Sequence, residues 1–93
     1  MIRTLPTKFE GKGSVKGFTF TLCMKSENMY IYEVKNGRYK HYEVFKIKSV
    51  PVCVDFEKRI YSDTEFKEIY PKDEDFGVWA WSFSSLESAY SKL

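Results

Sequence analysis

An α+β fold built on an antiparallel sheet follows from three features of this sequence. Several short runs alternate apolar and polar residues with period two. An Asn-Gly dipeptide separates two of those runs. A C-terminal stretch repeats its apolar residues at helical spacing. The chain has 93 residues, which is room for a single domain over 1–93. A domain of this size closes only a modest core. The stock for that core is aromatic, with 8 Phe, 7 Tyr and 2 Trp. Rings bury a large area per residue, so their abundance is accounted for by packing before any function is invoked.

Residues 1–13, with Pro6, Gly11 and Gly13, read as an extended arm or an edge strand. Over 15–24, Phe18, Phe20, Leu22 and Met24 share one face and Thr19, Thr21 and Cys23 the other, which predicts a half-buried strand. Ser26, Glu27 and Asn28 then make a turn. Residues 29–35 and 38–48 are β-rich and flank Asn36-Gly37, a hairpin signature because both residues tolerate positive φ. A type I′ turn there pairs Glu33 with Lys40, Ile31 with Tyr42 and Met29 with Val44. A type I turn with a bulge at Gly37 slips each pairing by one, setting Tyr30 against Tyr42 and Tyr32 against Lys40. The first register is preferred, since it pairs opposite charges and matches apolar with apolar.

Val50, Val52, Val54 and Phe56 alternate along the next strand, where Pro51 marks a start, a bulge or an edge. Ser62 and Glu65 form a capping-box pattern ahead of Phe66, Ile69 and Tyr70. This predicts a short helix over 63–70, or a 3₁₀ turn, ended by Pro71. Residues 72–75 are a charged loop. Over 78–83 the alternation predicts a strand with Trp79, Trp81 and Phe83 on one face. Ser84 and Glu87 repeat the capping box, so Ser84 is the predicted N-cap of a last helix. Leu86, Ala89, Tyr90 and Leu93 form its apolar stripe, which must dock on the sheet because so short a helix is unstable alone. The sum is an antiparallel sheet of four to five strands, with the C-terminal helix and one short helix packed on one face.

Composition narrows the function classes. Fifteen basic and 13 acidic residues leave a net charge of +2, too balanced to argue for nucleic-acid binding by charge alone. Cys23 and Cys53 lie in apolar runs without Cys-x-x-Cys spacing, and the chain has a single histidine. A zinc site is not expected, and the cysteines read as reduced, buried thiols. The N-terminal residues carry Arg3 and Lys8 and no apolar signal core, and no apolar run is long enough to span a membrane. The expected location is the cytoplasm.

Few residue patterns carry chemistry. His41 with Glu43 is an acid–base pair by type, yet both stand on one strand with no second group to make a cleft. A partly exposed strand histidine is the expectation. Asp73, Glu74 and Asp75 lack the spacing and internal glycine of a calcium loop and read as solvated. Trp79 and Trp81 are a ligand platform or core, with core favoured for at least one. No nucleophile elbow, phosphate loop or metalloprotease motif occurs, so no catalytic residue, cofactor or metal is expected. The best-formed pattern is on the central hairpin, where basic residues, Lys46 and Lys48 among them, interleave with rings. Its candidate site is Lys35, Arg38, Tyr39, Lys40 and Tyr42: charge for phosphates and rings for bases, the combination single-strand binders use.

The runs Val15-Lys-Gly-Phe18, Tyr42-Glu-Val-Phe45, Phe76-Gly-Val-Trp-Ala-Trp81 and Ser85-Leu-Glu-Ser-Ala89 resemble small uncharacterised proteins of gut-dwelling anaerobic bacteria, their phages and mobile elements. The likeness covers most of the chain from about Phe9 onward. It implies a genomic setting, carries no activity and places no catalytic residue. The combined expectation is a non-enzymatic accessory protein that binds a macromolecular partner, a protein, through one sheet face. The alternative is a single-stranded nucleic-acid-binding domain that uses the hairpin.

Overall fold

The hairpin announced by Asn36-Gly37 forms the centre of the molecule. The computed structural model describes residues 2–93; Met1, the first residue of the expected arm, lies outside the described residues. Two strands, β4 (Met29–Asn36) and β5 (Tyr39–Lys46), pair in antiparallel fashion about that turn. Around them a five-stranded sheet runs in the order β2 (Lys8–Glu10), β3 (Thr19–Lys25), β4, β5, β8 (Ala80–Phe83), with every neighbour antiparallel. A second, three-stranded sheet has the order β1 (Ile2–Arg3), β7 (Ile60–Glu68), β6 (Ser49–Asp55). There β6 and β7 form a hairpin, and the two-residue β1 lies parallel to β7. One five-residue helix, α1 (Leu86–Tyr90), follows β8. Strands therefore dominate, in two sheets where a single sheet was expected.

The hairpin register departs from both turns weighed from sequence. Asn36 pairs with Tyr39, so the loop is Gly37-Arg38, with Gly37 at φ 61°. Among the described residues Arg38 is not one with positive φ, which is the sign pattern of a type II′ turn. This turn places positive φ on glycine alone and leaves Asn36 extended. Every pairing moves by two residues: Ile31 faces Val44, Glu33 faces Tyr42 and Lys35 faces Lys40. Because the shift is even, the side chains keep the faces that the type I′ reading assigned to them.

Each face of the large sheet has a core. On one, Phe20, Tyr30, Tyr32, Val34, Phe45 and Trp79 are buried, under a cover that includes Leu5, Phe9, Ile69 and Tyr70. On the other, Ile31, Tyr42 and Val44 are buried beneath Ala89 and Leu86 of α1. The residue period of two along β4 sends Tyr30, Tyr32 and Val34 one way and Ile31 the other. Polar clasps fasten the cover to the first face. Glu68 at the end of β7 accepts from Tyr30 Oη at 2.6 Å and from the Leu5 N–H at 2.9 Å, while Tyr32 Oη donates to the Pro6 carbonyl at 2.7 Å.

Four further expectations are corrected. The predicted helix over 63–70 is most of strand β7. Ser62 does bond as a cap would, its Oγ accepting from the Glu65 N–H at 2.9 Å, but the result is a bulge. Pro51 pairs with Phe66 and Cys53 with Tyr61, so residues 62–65 lie opposite Val52 alone. Just beyond the bulge Phe66 and Lys67 have strand partners on both sides, β6 and β1, which hold extended a segment that would otherwise form a marginal two-turn helix. Second, the last helix is capped by Ser85, whose Oγ accepts from the Ser88 N–H at 3.2 Å. Of its stripe, Ala89 is buried and Leu86 half-buried, while Tyr90 and Leu93 are exposed, because a five-residue helix presents barely one turn to the sheet. Third, Trp79 precedes β8 and is buried in the first core, whereas Trp81 and Phe83 pair against Val44 and Tyr42 on the helix side. Lys92 Nζ covers the Trp81 ring at 4.0 Å from its centroid. Fourth, both thiols are free, but Cys23 is exposed at the bulge of β3 and Cys53 only half-buried.

Candidate functional site

Four of the five predicted hairpin residues gather in solvent. Lys35 and Lys40 face each other across the strand pair, and Arg38 and Tyr39 complete the tip, all exposed. Among the described residues no carboxylate ion-pairs with these three cations. Tyr42 is different: it is buried in the helix-side core, with Lys40 Nζ 5.9 Å from its ring centroid, and has no face to offer a base. Tyr39 projects to the opposite face, its ring 5.3 Å from that of His41. Lys46 and Lys48 sit at the far end, with Lys48 over Trp79. The tip is thus a compact cationic point with one exposed ring, not a stacked platform.

The small sheet offers another kind of surface. None of the residues of β1, β6 or β7 is buried. At its outer end Val54 is 60% exposed and Phe56 88%, with Ile60 and Tyr61 about half exposed beside them. The chain reverses there through Arg59, held at φ 52°, and the Lys58 N–H donates to Asp55 Oδ1 at 3.2 Å. Among the described residues β6 is an edge of its sheet, paired on one side with β7 and with no strand on the other. The sequence alternation at Val50, Val52, Val54 and Phe56 correctly marked a strand, but it implied a buried face that the molecule does not supply.

A cleft of about 810 Å³ opens on the first face of the large sheet. Its walls come from the N-terminal segment (Leu5, Phe9), the loop before β3 (Val15, Phe18) and the segment after β7 (Pro71, Phe76). Inside stand His41, Glu43 and Tyr70. Glu43 Oε2 lies 2.8 Å from His41 Nε2, and Tyr70 Oη donates to Glu43 Oε1 at 2.7 Å. The carboxylate only accepts, so Nε2 carries a hydrogen. His41 Nδ1 is buried without a hydrogen-bond partner among the described residues. The Tyr70 ring meets Phe9, Phe20, Tyr32 and Phe45 edge-on at centroid distances of 4.7–5.6 Å. Burial pushes its phenol far above the ordinary tyrosine value, and the Glu43 charge and hydrogen bond add to that, so Tyr70 remains a donor.

The sequence put His41 and Glu43 two residues apart on one strand; it did not show the cleft around them. By sequence Tyr70 ends the predicted helix ahead of Pro71, and no local pattern places it beside Glu43. The acidic run is a short 3₁₀ turn in which Asp75 accepts from the Lys72 N–H at 2.8 Å, and that bond lowers its carboxyl pKa. Among the described residues no three His, Cys, Asp or Glu side chains form a metal-ligand group, and no helix is long and apolar enough to cross a membrane. No protein-family model matches the chain, and neither the curated proteins nor the solved structures contain a significant match, so its fold and surfaces stand on their own geometry.

Proposed function

We propose that this chain is a non-enzymatic accessory protein that binds a partner protein through its three-stranded sheet, in the cytoplasm of a host carrying a phage or mobile element. The observation that supports the reading is a sheet of apolar-rich strands in which no residue is buried. A sheet of this size needs a covered face to be stable on its own. Here it hangs on the larger core through Glu68, with Val54, Phe56, Ile60 and Tyr61 in water. Exposed apolar residues gathered at one end of a sheet mark interaction surfaces, and the open edge of β6 adds backbone groups for a partner strand. The test compares affinity capture by the native chain with capture by the Val54→Ser/Phe56→Ser double variant. A partner retained by the first and lost by the second, with an unchanged unfolding midpoint, supports the reading. A capture profile identical for both chains overturns it.

A second reading, single-stranded nucleic-acid binding, rests on Lys35, Arg38 and Lys40, which ion-pair with no carboxylate among the described residues, beside exposed Tyr39. On that reading Arg38→Ala with Lys40→Ala weakens oligonucleotide binding and flattens its salt dependence. Tyr39→Ala weakens it separately, through lost stacking. Tyr42→Ala acts only through stability, since that ring is buried. Absence of oligonucleotide binding at low salt removes this reading.

A further inference from the structure

We propose that the cleft around Glu43 is a binding site for a small organic cation, an amine carried on an apolar body. The argument is independent of the partner-binding sheet. Glu43 lines the cleft and keeps 14% of its side chain exposed. Each carboxylate oxygen has accepted one hydrogen bond, from Tyr70 and from His41, and a carboxylate has about four acceptor positions. Two remain for an incoming donor. The existing bonds also fix the carboxylate in place, so a ligand need not order it.

With His41 counted as neutral, the charged residues that line the cleft are Glu10, Glu43 and Asp73 against Lys12 and Lys72, a formal excess of acid. His41 meets Glu43 through Nε2, and its Nδ1 is buried without a hydrogen-bond partner among the described residues. Glu10, Lys12, Lys72 and Asp73 are exposed at the rim, and the half-buried acid inside is Glu43. Around it stand the rings of Phe9, Phe18, Phe20, Tyr70 and Phe76. Aromatic walls with a carboxylate between them are the combination that attracts an organic cation, by ring quadrupole and by charge-assisted hydrogen bond. An anion would meet Glu43 directly, and a neutral molecule would leave its two free acceptor positions unused. The volume suits a compact molecule bearing one such group.

The test titrates the full chain with benzylammonium, its neutral counterpart benzyl alcohol and its anionic counterpart benzoate, followed by NMR shifts of the His41 and Tyr70 ring signals. Benzylammonium is expected to bind about tenfold or more tightly than benzyl alcohol, the gain a hydrogen bond to a charged group supplies. Glu43→Gln should abolish that preference while benzyl alcohol still binds, which shows the cleft intact. Glu10→Gln with Asp73→Asn should leave the preference in place. Equal binding of the amine and the alcohol, preference for benzoate, no shift of either ring, or loss of preference in the rim variant would each overturn the proposal. A capped lysine peptide that binds more tightly than benzylammonium would also overturn it, by assigning the cleft to a partner's side chain.

Discussion

The two sheets draw on the same residue types, aromatic and β-branched residues in alternation, and end in opposite states. In the large sheet Ile31, Tyr32, Val44 and Phe45 are fully buried, because β4 and β5 have neighbours on both sides and cover on both faces. In the small sheet Val54, Phe56, Ile60 and Tyr61 remain in water. Apolar content is not the difference; enclosure is. The large sheet is covered on one face by Tyr70 and the N-terminal segment and on the other by α1. The small sheet is spent as cover at one end only, where Glu68 reaches Tyr30, and its far end projects. One sheet holds the fold, and the other is held by it.

That contrast can be broken most directly in the centre. Phe45→Ala removes a fully buried ring packed on Tyr30, Tyr32, Tyr70 and Trp79, and should cost about 3–5 kcal/mol in denaturant unfolding. Phe56→Ala, an equal change in the small sheet, should stay within about 0.5 kcal/mol. A large loss from Phe56→Ala would show that the projecting end has a covered state in solution. Glu68→Gln comes next. It weakens the acceptor of Tyr30 and Leu5 at the joint between the sheets, with an expected loss of roughly 1–3 kcal/mol. Hydrogen exchange should then accelerate in β6 and β7 more than in β4 and β5.

Alkaline pH tests the same joint without mutation. Burial, then the Glu68 charge, pushes the Tyr32 phenol up to about 12, and Tyr30 is raised further by burial and by its bond to Glu68. The folded chain then holds protons that the unfolded chain releases near the ordinary tyrosine value of about 10. The stabilisation is complete below that value and is lost as pH rises through about 12 for Tyr32. Unfolding midpoints should fall across this window, with the ultraviolet signature of tyrosinate appearing as the chain opens. The smallest effect belongs to the cap: Ser85→Ala should cost about 1 kcal/mol, and Ser84→Ala almost nothing.

Local signals were enough for much of the large sheet. Alternation through Phe18, Phe20 and Leu22 and from Met29 onward placed β3, β4 and β5, and Asn36-Gly37 placed their hairpin within one residue. The helix after β8 was legible from serine and apolar spacing, though Ser84 and Ser85 offered equivalent caps. The site was far less legible. Lys35, Arg38, Tyr39 and Lys40 do meet at the hairpin tip, because a turn gathers its own neighbours. Tyr42 lies one pairing too deep, and its face was set by packing under α1.

What the sequence determined alone was what adjacent residues enforce on each other: strand alternation, the position of a glycine able to take positive φ, and the start of a short helix near Ser85. The tertiary structure decided what depends on partners far along the chain. Ser62 and Glu65 carry a helix-start pattern, and the same serine bond appears in a strand bulge because β6 and β1 supply backbone partners to Phe66 and Lys67 just beyond it. The two-residue shift of the hairpin reflects which apolar pairs meet across it together with the turn that glycine permits. The cleft joins Phe9, Phe18, Glu43, Tyr70 and Phe76, which no sequence window contains together. Hydrogen-bond supply and burial are non-local quantities, so residues with identical local patterns were free to become core, cover or exposed surface until the chain closed around them.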